Sequence, residues 1–150
     1  MLVAFDTNIL VYAEGLNDPQ REAQAKELRS RLGPKRVFLA SQVVGEFYNV
    51  LTRKYRTPLD RARSICREWT STCASGAATE ATFAHATDLA TEAGLQIWDA
   101  VILVTAADAN CAALLSEDMQ HGFVYRGVTV INPFAEQPHP LLADALRHHR

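Results

Sequence analysis

Hydrophobic and polar positions fall in blocks along this chain, and the first block is the most informative. Leu2 to Phe5 is uniformly apolar and too short for an amphipathic helix, so it reads as a strand buried on both faces, as in the middle of a parallel sheet. The run breaks at Asp6-Thr7-Asn8 and resumes through Tyr12, which leaves Asp6 at the strand's carboxyl end. Asn17-Asp18-Pro19 starts a mostly polar surface helix, with Asp18 as N-cap and Pro19 at its first position, closed by Leu32-Gly33-Pro34. Val37 to Ala40 is a second short apolar strand. Ser41 is expected to cap the helix that follows, whose Val43, Val44, Phe47, Val50 and Leu51 mark a buried stripe and which carries Glu46.

Thr57-Pro58 opens a helix to about Cys73, with Leu59, Ala62, Ile65, Cys66 and Trp69 on one face and Arg61, Arg63 and Arg67 on the other. Thr79-Glu80 opens the next, which ends at Ala93-Gly94, where glycine suits the left-handed position after a last turn. From Trp98 to Cys111 the chain carries Asp99 and is then apolar all round; its length and its alanines favour a core helix over a strand. Ala112 to Ser116 reads as a third central strand ending at Glu117-Asp118, and Val128 to Ile131 as a fourth, stopped by Asn132-Pro133. Pro138 to Arg150 reads as a terminal helix.

This order of elements predicts one domain over residues 1–150, a three-layer α/β/α sandwich around a mainly parallel sheet with right-handed crossovers. In such sheets ligands collect in the crevice beyond the carboxyl ends of the strands. Asp6 and Glu117-Asp118 each follow a buried strand, Asp99 opens the core helix, and Glu46 lies early in the helix after the second strand. Carboxylates at such positions can converge on one crevice. Taken alone, Asp6 reads equally well as the cap of the following helix, bonding the amide of Asn8 or Ile9. Several buried carboxylates together need a counter-charge, and few basic residues adjoin these positions. A hard divalent cation that prefers oxygen ligands, Mg²⁺ or Mn²⁺, is the expected partner.

Composition narrows the class. With 48% hydrophobic and 21% charged residues the chain is neither disordered nor membrane-embedded. No apolar run reaches the length of a membrane span, and the first residues lack a basic segment and cleavage site, so the expected location is the cytoplasm. Cys66, Cys73 and Cys111 form no C-x-x-C pair and read as free thiols. A net charge of −2 means that an anionic partner must be held by local basic patches or by a bound cation.

The chain resembles the PIN-domain nucleases and, among them, the VapC toxins of bacterial toxin–antitoxin pairs. Phe5-Asp6-Thr7-Asn8-Ile9-Leu10, Glu46 in Val44-Gly45-Glu46-Phe47, Asp99-Ala100 in Trp98-Asp99-Ala100-Val101-Ile102, and Leu114-Leu115-Ser116-Glu117-Asp118 carry the resemblance, in order and across almost the whole length. The resemblance implies a metal-dependent endoribonuclease whose acidic site uses Asp6, Glu46, Asp99 and Asp118, with Asn8 and Ser116 as polar supports. It also implies a homodimer inhibited by a small DNA-binding antitoxin. The chain departs from many relatives after Asp118, where a basic and aromatic segment is replaced by Met119-Gln120-His121-Gly122.

For contact with RNA the candidates are Arg53, Lys54 and Arg56, just beyond the Glu46 helix, then Arg61, Arg63 and Arg67; each taken singly reads as part of a solvated helix face. His85, His121, His139, His148 and His149 lack metal-ligand spacing. Phe47, Tyr48, Trp69 and Trp98 are expected in the core. The apolar face of the Thr57–Cys73 helix, with the helix before it, exceeds what a small sheet covers and is expected to meet a second copy or the antitoxin. Two rival readings are a phosphotransferase of the haloacid-dehalogenase type, which needs an Asp where this chain has Asn8, and a non-catalytic binding module on the same fold.

Overall fold

The uniformly apolar runs become the centre of a twisted sheet. In this computed structural model, which describes residues 1–147, the strands are β1 Val3–Phe5, β2 Val37–Ala40, β3 Ala74–Gly76, β4 Ala113–Leu115, β5 Val124–Tyr125 and β6 Val128–Ile131. Their order across the sheet is β3-β2-β1-β4-β6-β5, and every pair is parallel except β5 with β6. The α-helices are α1 Thr7–Ala13, α2 Pro19–Leu32, α3 Ser41–Asn49, α4 Leu59–Thr72, α5 Glu80–Ala93, α6 Ile97–Asp108 and α7 Pro140–Arg147. His148, His149 and Arg150, the end of the expected terminal helix, lie outside the described residues.

From β1 the chain steps outward to β2 and β3, then returns across the sheet to β4. Right-handed crossovers running in opposite directions cover opposite faces, which yields the α/β/α layering. The strands in the middle are buried on both sides, β1, β2 and β4 at every position, and α6 is buried from Ala100 to Ala106. Among the described residues no helix is long and apolar enough to cross a membrane. Cys66, Cys73 and Cys111 are free thiols.

Two strands carry no hydrophobic pattern and are absent from the sequence reading. β3 is an edge strand of Ala74, Ser75 and Gly76, where a Cβ on Gly76 would stand 3.0 Å from the Phe38 ring. β5 pairs with β6 through a tight turn in which Arg126 and Gly127 both take positive φ, 44° and 84°, the backbone that a two-residue hairpin requires. Other expectations also need correcting. Ser41 is the first residue of α3 rather than its cap, and its hydroxyl donates to the Gly76 carbonyl at 3.2 Å, tying α3 to β3. After Asn49 the chain widens into a π-helical turn, Val50–Lys54, which Tyr55 closes by donating its amide to the Val50 carbonyl at 3.2 Å. Tyr48 and Trp98, expected inside, are exposed because they sit near the ends of their helices, and Leu59, on the face expected to meet a partner, is exposed too. Phe47 and Trp69 are buried as expected; the Trp69 indole donates to Glu14 at 2.7 Å, and Arg29 stacks 3.6 Å over its ring.

Candidate active site

The crevice lies where the sheet changes direction, between β1 and its neighbour β4. Here Asp6 and Ser116, 110 positions apart, meet, and the Asp6 amide donates to the Leu115 carbonyl at 2.9 Å; on the far side of β4 the Ser116 amide donates to the Ile131 carbonyl at 3.0 Å. Asp6 caps α1 and also faces the crevice. Its Oδ1 accepts the Thr7 amide at 2.8 Å and so opens α1, while Oδ2 accepts the Ser116 hydroxyl at 2.7 Å and faces the Asn8 amide nitrogen at 3.5 Å. Asn8 Nδ2 also donates to Asp118 Oδ2 at 3.0 Å, and its Oδ1 accepts the Glu117 amide at 3.3 Å. One asparagine therefore joins the ends of β1 and β4.

Strand alternation does not set the Glu117–Asp118 corner, because β4 stops at Leu115. The Ser116 hydroxyl accepts the amides of Asp118 and Met119, at 3.2 and 3.3 Å, and turns the chain. Asp118 thereby faces Asn8. Glu117 lines the same cleft as Asp118 but is engaged elsewhere: its Oε1 accepts the Tyr12 hydroxyl at 2.8 Å, and Oε2 lies 2.6 Å from Arg21 Nη1, an ion pair whose alignment falls short of a hydrogen bond. Burial and this hydrogen bond to Glu117 push the Tyr12 phenol up to about 12.

Glu46 reaches the crevice from α3, both oxygens held, Oε2 by the Thr7 hydroxyl at 2.9 Å and Oε1 by Gln42 Nε2 at 3.0 Å. Asp99 enters from the first turn of α6, which Gln96 caps by accepting the amides of Trp98 and Asp99 at 3.0 and 3.2 Å. Asp6 is 4% exposed, and burial pushes its carboxyl up to about 6 despite the Ser116 and Thr7 hydrogen bonds, with the charges of Asp99 and Glu46 adding to the rise. Asp99 is raised by burial first and then by Glu46 and Asp118. The carboxylates thus share one field. Among the described residues no three His, Cys, Asp or Glu side chains close tightly enough to enclose a metal ion by themselves. The donor set is nonetheless all hard oxygen, and Mg²⁺ is ordinarily held by one or two carboxylates with water completing its shell. Replacing Gln96 by Ala, which frees two helix-end amides, is expected to cost about 1 kcal/mol in chemical denaturation.

A family model for the PIN domain matches residues 3–124. The chain belongs to the PIN domain family. The sequence matches no curated protein. Among solved structures it is similar to Mycobacterium tuberculosis VapC20, a sarcin–ricin loop cleaving toxin, with a TM-score of 0.65 at 17% identity over 77% of this chain and 89% of that one. A toxin–antitoxin complex from Klebsiella pneumoniae gives 0.65 at 23% identity over 88% and 98%. VapBC2 from Rickettsia felis, bound to a promoter DNA fragment, gives 0.62 at 16% identity over 87% and 97%. At such identities the likeness carries the fold.

Within this PIN domain the residues singled out from sequence are unevenly placed. Asp6, Asn8, Glu46, Asp99, Ser116 and Asp118 are linked by the hydrogen bonds and charges above. Of the basic candidates, Lys54 lines a cleft of about 470 Å³ together with Asn8, Glu46, Asn49, Tyr55 and Asp118. Arg53 instead donates to Asn49 Oδ1 at 3.0 Å, and Arg56, exposed and with φ of 55°, does not line the cleft. Sequence reasoning missed Thr7, Gln42 and Gln96, which orient Glu46 and Asp99. Gln42 was findable, since it precedes Glu46 by one helical turn and shares its face.

Proposed function

We propose that this PIN domain, acting as one unit over residues 1–150, is a metal-dependent endoribonuclease and the toxin of a toxin–antitoxin pair. One observation carries the reading: Asp6 is almost wholly buried at the sheet's switch point, in the field of Asp99 and Glu46, an arrangement that costs stability unless a cation offsets it. Asp6, Glu46, Asp99 and Asp118 are the residues that would hold Mg²⁺ or Mn²⁺. The bound ion would supply an activated water and neutralise charge on the reacting phosphodiester.

The chain's own residues do the positioning. Ser116 and the Thr7 amide fix both oxygens of Asp6, Asn8 fixes Asp118, and Thr7 with Gln42 fixes Glu46, so the acidic oxygens are oriented before substrate arrives. Lys54 adds a cation to the cleft that Glu46 and Asp118 also line, a seat for a backbone phosphate. Two structural neighbours are toxin–antitoxin assemblies, one of them bound to promoter DNA, which supports a small DNA-binding antitoxin as partner; a homodimeric toxin is part of the same proposal. The exposed Leu59 and Tyr48, beside Val44, Cys66, Arg63 and Arg67 between α3 and α4, are the apolar surface proposed to meet it.

The test is cleavage of end-labelled RNA with Mg²⁺, Mn²⁺ or EDTA. Cleavage with metal and none with EDTA is expected; cleavage unaffected by EDTA overturns the metal reading. Lys54→Ala is expected to weaken RNA binding across sequences and to lower the slope of log affinity against log salt by about one contact's worth, roughly 0.7 for a single strand. An unchanged slope removes Lys54 from the substrate path.

A further inference from the structure

Trp98 and Phe83 stand out on this surface because large aromatic rings are left in solvent, 44% and 39% exposed, beside a site built of carboxylates. They meet edge to face, with ring centroids 6.3 Å apart. Trp98 directly precedes Asp99 in the first turn of α6. Phe83 lines a second cleft of about 550 Å³ with Gln42, Glu46, Asn49 and Ala78. Glu46 and Asn49 line this cleft and the one that holds Lys54 and Asp118, so the two clefts meet along one edge of α3. A path over that edge has a cation at one end, carboxylates in the middle and an aromatic pair at the other.

The aromatic contact is not needed to seat α5 on α6. Buried Ala86 and Leu89 pack α5 inward, and the Thr82 hydroxyl donates to Asp108 at 2.8 Å across the two helices. Every nucleobase has a face that stacks on an exposed ring, whereas a base inside a duplex has none to offer. We propose that Trp98, backed by Phe83, is a nucleobase platform on which an unpaired base flanking the scissile phosphate stacks. The inference rests on the ribonuclease reading above, adds a base-binding subsite to it, and gives α5 a role that none of the motif residues covers.

The two tryptophans make the test direct, since Trp69 is 1% exposed and Trp98 is the accessible one. Tryptophan fluorescence is followed in EDTA, where no cleavage is expected, during titration with an unstructured RNA oligonucleotide, a hairpin of the same composition and an abasic oligomer. Quenching by the unstructured RNA alone is expected. In cleavage assays with Mn²⁺, Trp98→Leu is expected to raise KM roughly tenfold or more with kcat retained, Phe83→Ala to do so less, and Trp98→Phe to stay near wild type. Equal quenching by the abasic oligomer, or a KM for Trp98→Leu equal to that of wild type, overturns the platform. So does light scattering in which Trp98→Leu and Phe83→Ala turn a dimer into monomers, which makes the patch a subunit contact. Base-dependent quenching by a wild-type protein that cuts no RNA sinks the ribonuclease reading and leaves the platform standing.

Discussion

Asp6→Asn is expected to abolish RNA cleavage and to remove most of the pH dependence of stability of the metal-free protein. The loss of activity should exceed the roughly 10- to 100-fold cost of removing an outer-shell partner, because Asp6 is itself a proposed ligand. The pH argument follows from the raised carboxyl, which burial moves from 3.8 to about 6. The ionised form is disfavoured in the folded state, so the penalty is absent below about 4, grows between about 4 and 6, and is complete above. A rise of about two pH units corresponds to about 3 kcal/mol. In EDTA the wild type should therefore be more stable at pH 5 than at pH 7.5, with Asp99, also raised, acting in the same direction. Urea denaturation across that range checks it. A slope unchanged in Asp6→Asn would show that the charge at Asp6 is not the cause. At pH 7.5 Mn²⁺ should raise the melting temperature of the wild type more than that of the variant, since a ligand at a hundredfold excess over its Kd adds about 2.7 kcal/mol.

The second large effect separates two neighbours that composition cannot tell apart. Asp118→Asn is expected to lose cleavage at saturating Mn²⁺, because Asp118 is oriented by Asn8 toward the crevice and its charge bears on Asp99. Glu117→Gln should keep kcat and instead lose about 1–2 kcal/mol of stability, since the half-buried Glu117 holds Tyr12 and Arg21. Arg21 in turn lies over the Tyr12 and Phe134 rings, 5.6 and 5.2 Å from their centroids, so the pair anchors α2 and the Phe134 loop on α1. Cleavage assays and melts of both variants give the answer. Activity lost in Glu117→Gln and kept in Asp118→Asn would reverse the assignment.

What the sequence revealed depended on burial. β1, β2, β4 and β6 were legible because buried strands must be apolar throughout, and the caps at Asp18 and Thr79 because orphan amides need an oxygen. β3 and β5 lie at the two edges of the sheet, where nothing demands an apolar run. The four candidate carboxylates were singled out by their place after strands or at helix starts. The choice at Asp6 between cap and site residue dissolved, since a carboxylate has two oxygens and each serves one role. The turn that carries Asp118 back beside Ser116 was not legible, because it is held by a side-chain hydroxyl accepting two amides and leaves no periodic pattern. Trp98 was misread because residue type says nothing of which way a helix end faces.

The seam between β1 and β4 also sets when this protein can act. Asp6 ends the first strand, yet the hydroxyl that holds it belongs to Ser116, 110 positions later. The proposed site is therefore assembled only when β4 closes on β1. Contacts so distant in sequence form late and open early. Local parting of this seam would silence the protein while most of its helices remain folded, which makes the junction, rather than any single carboxylate, the place where folding and activity become the same event.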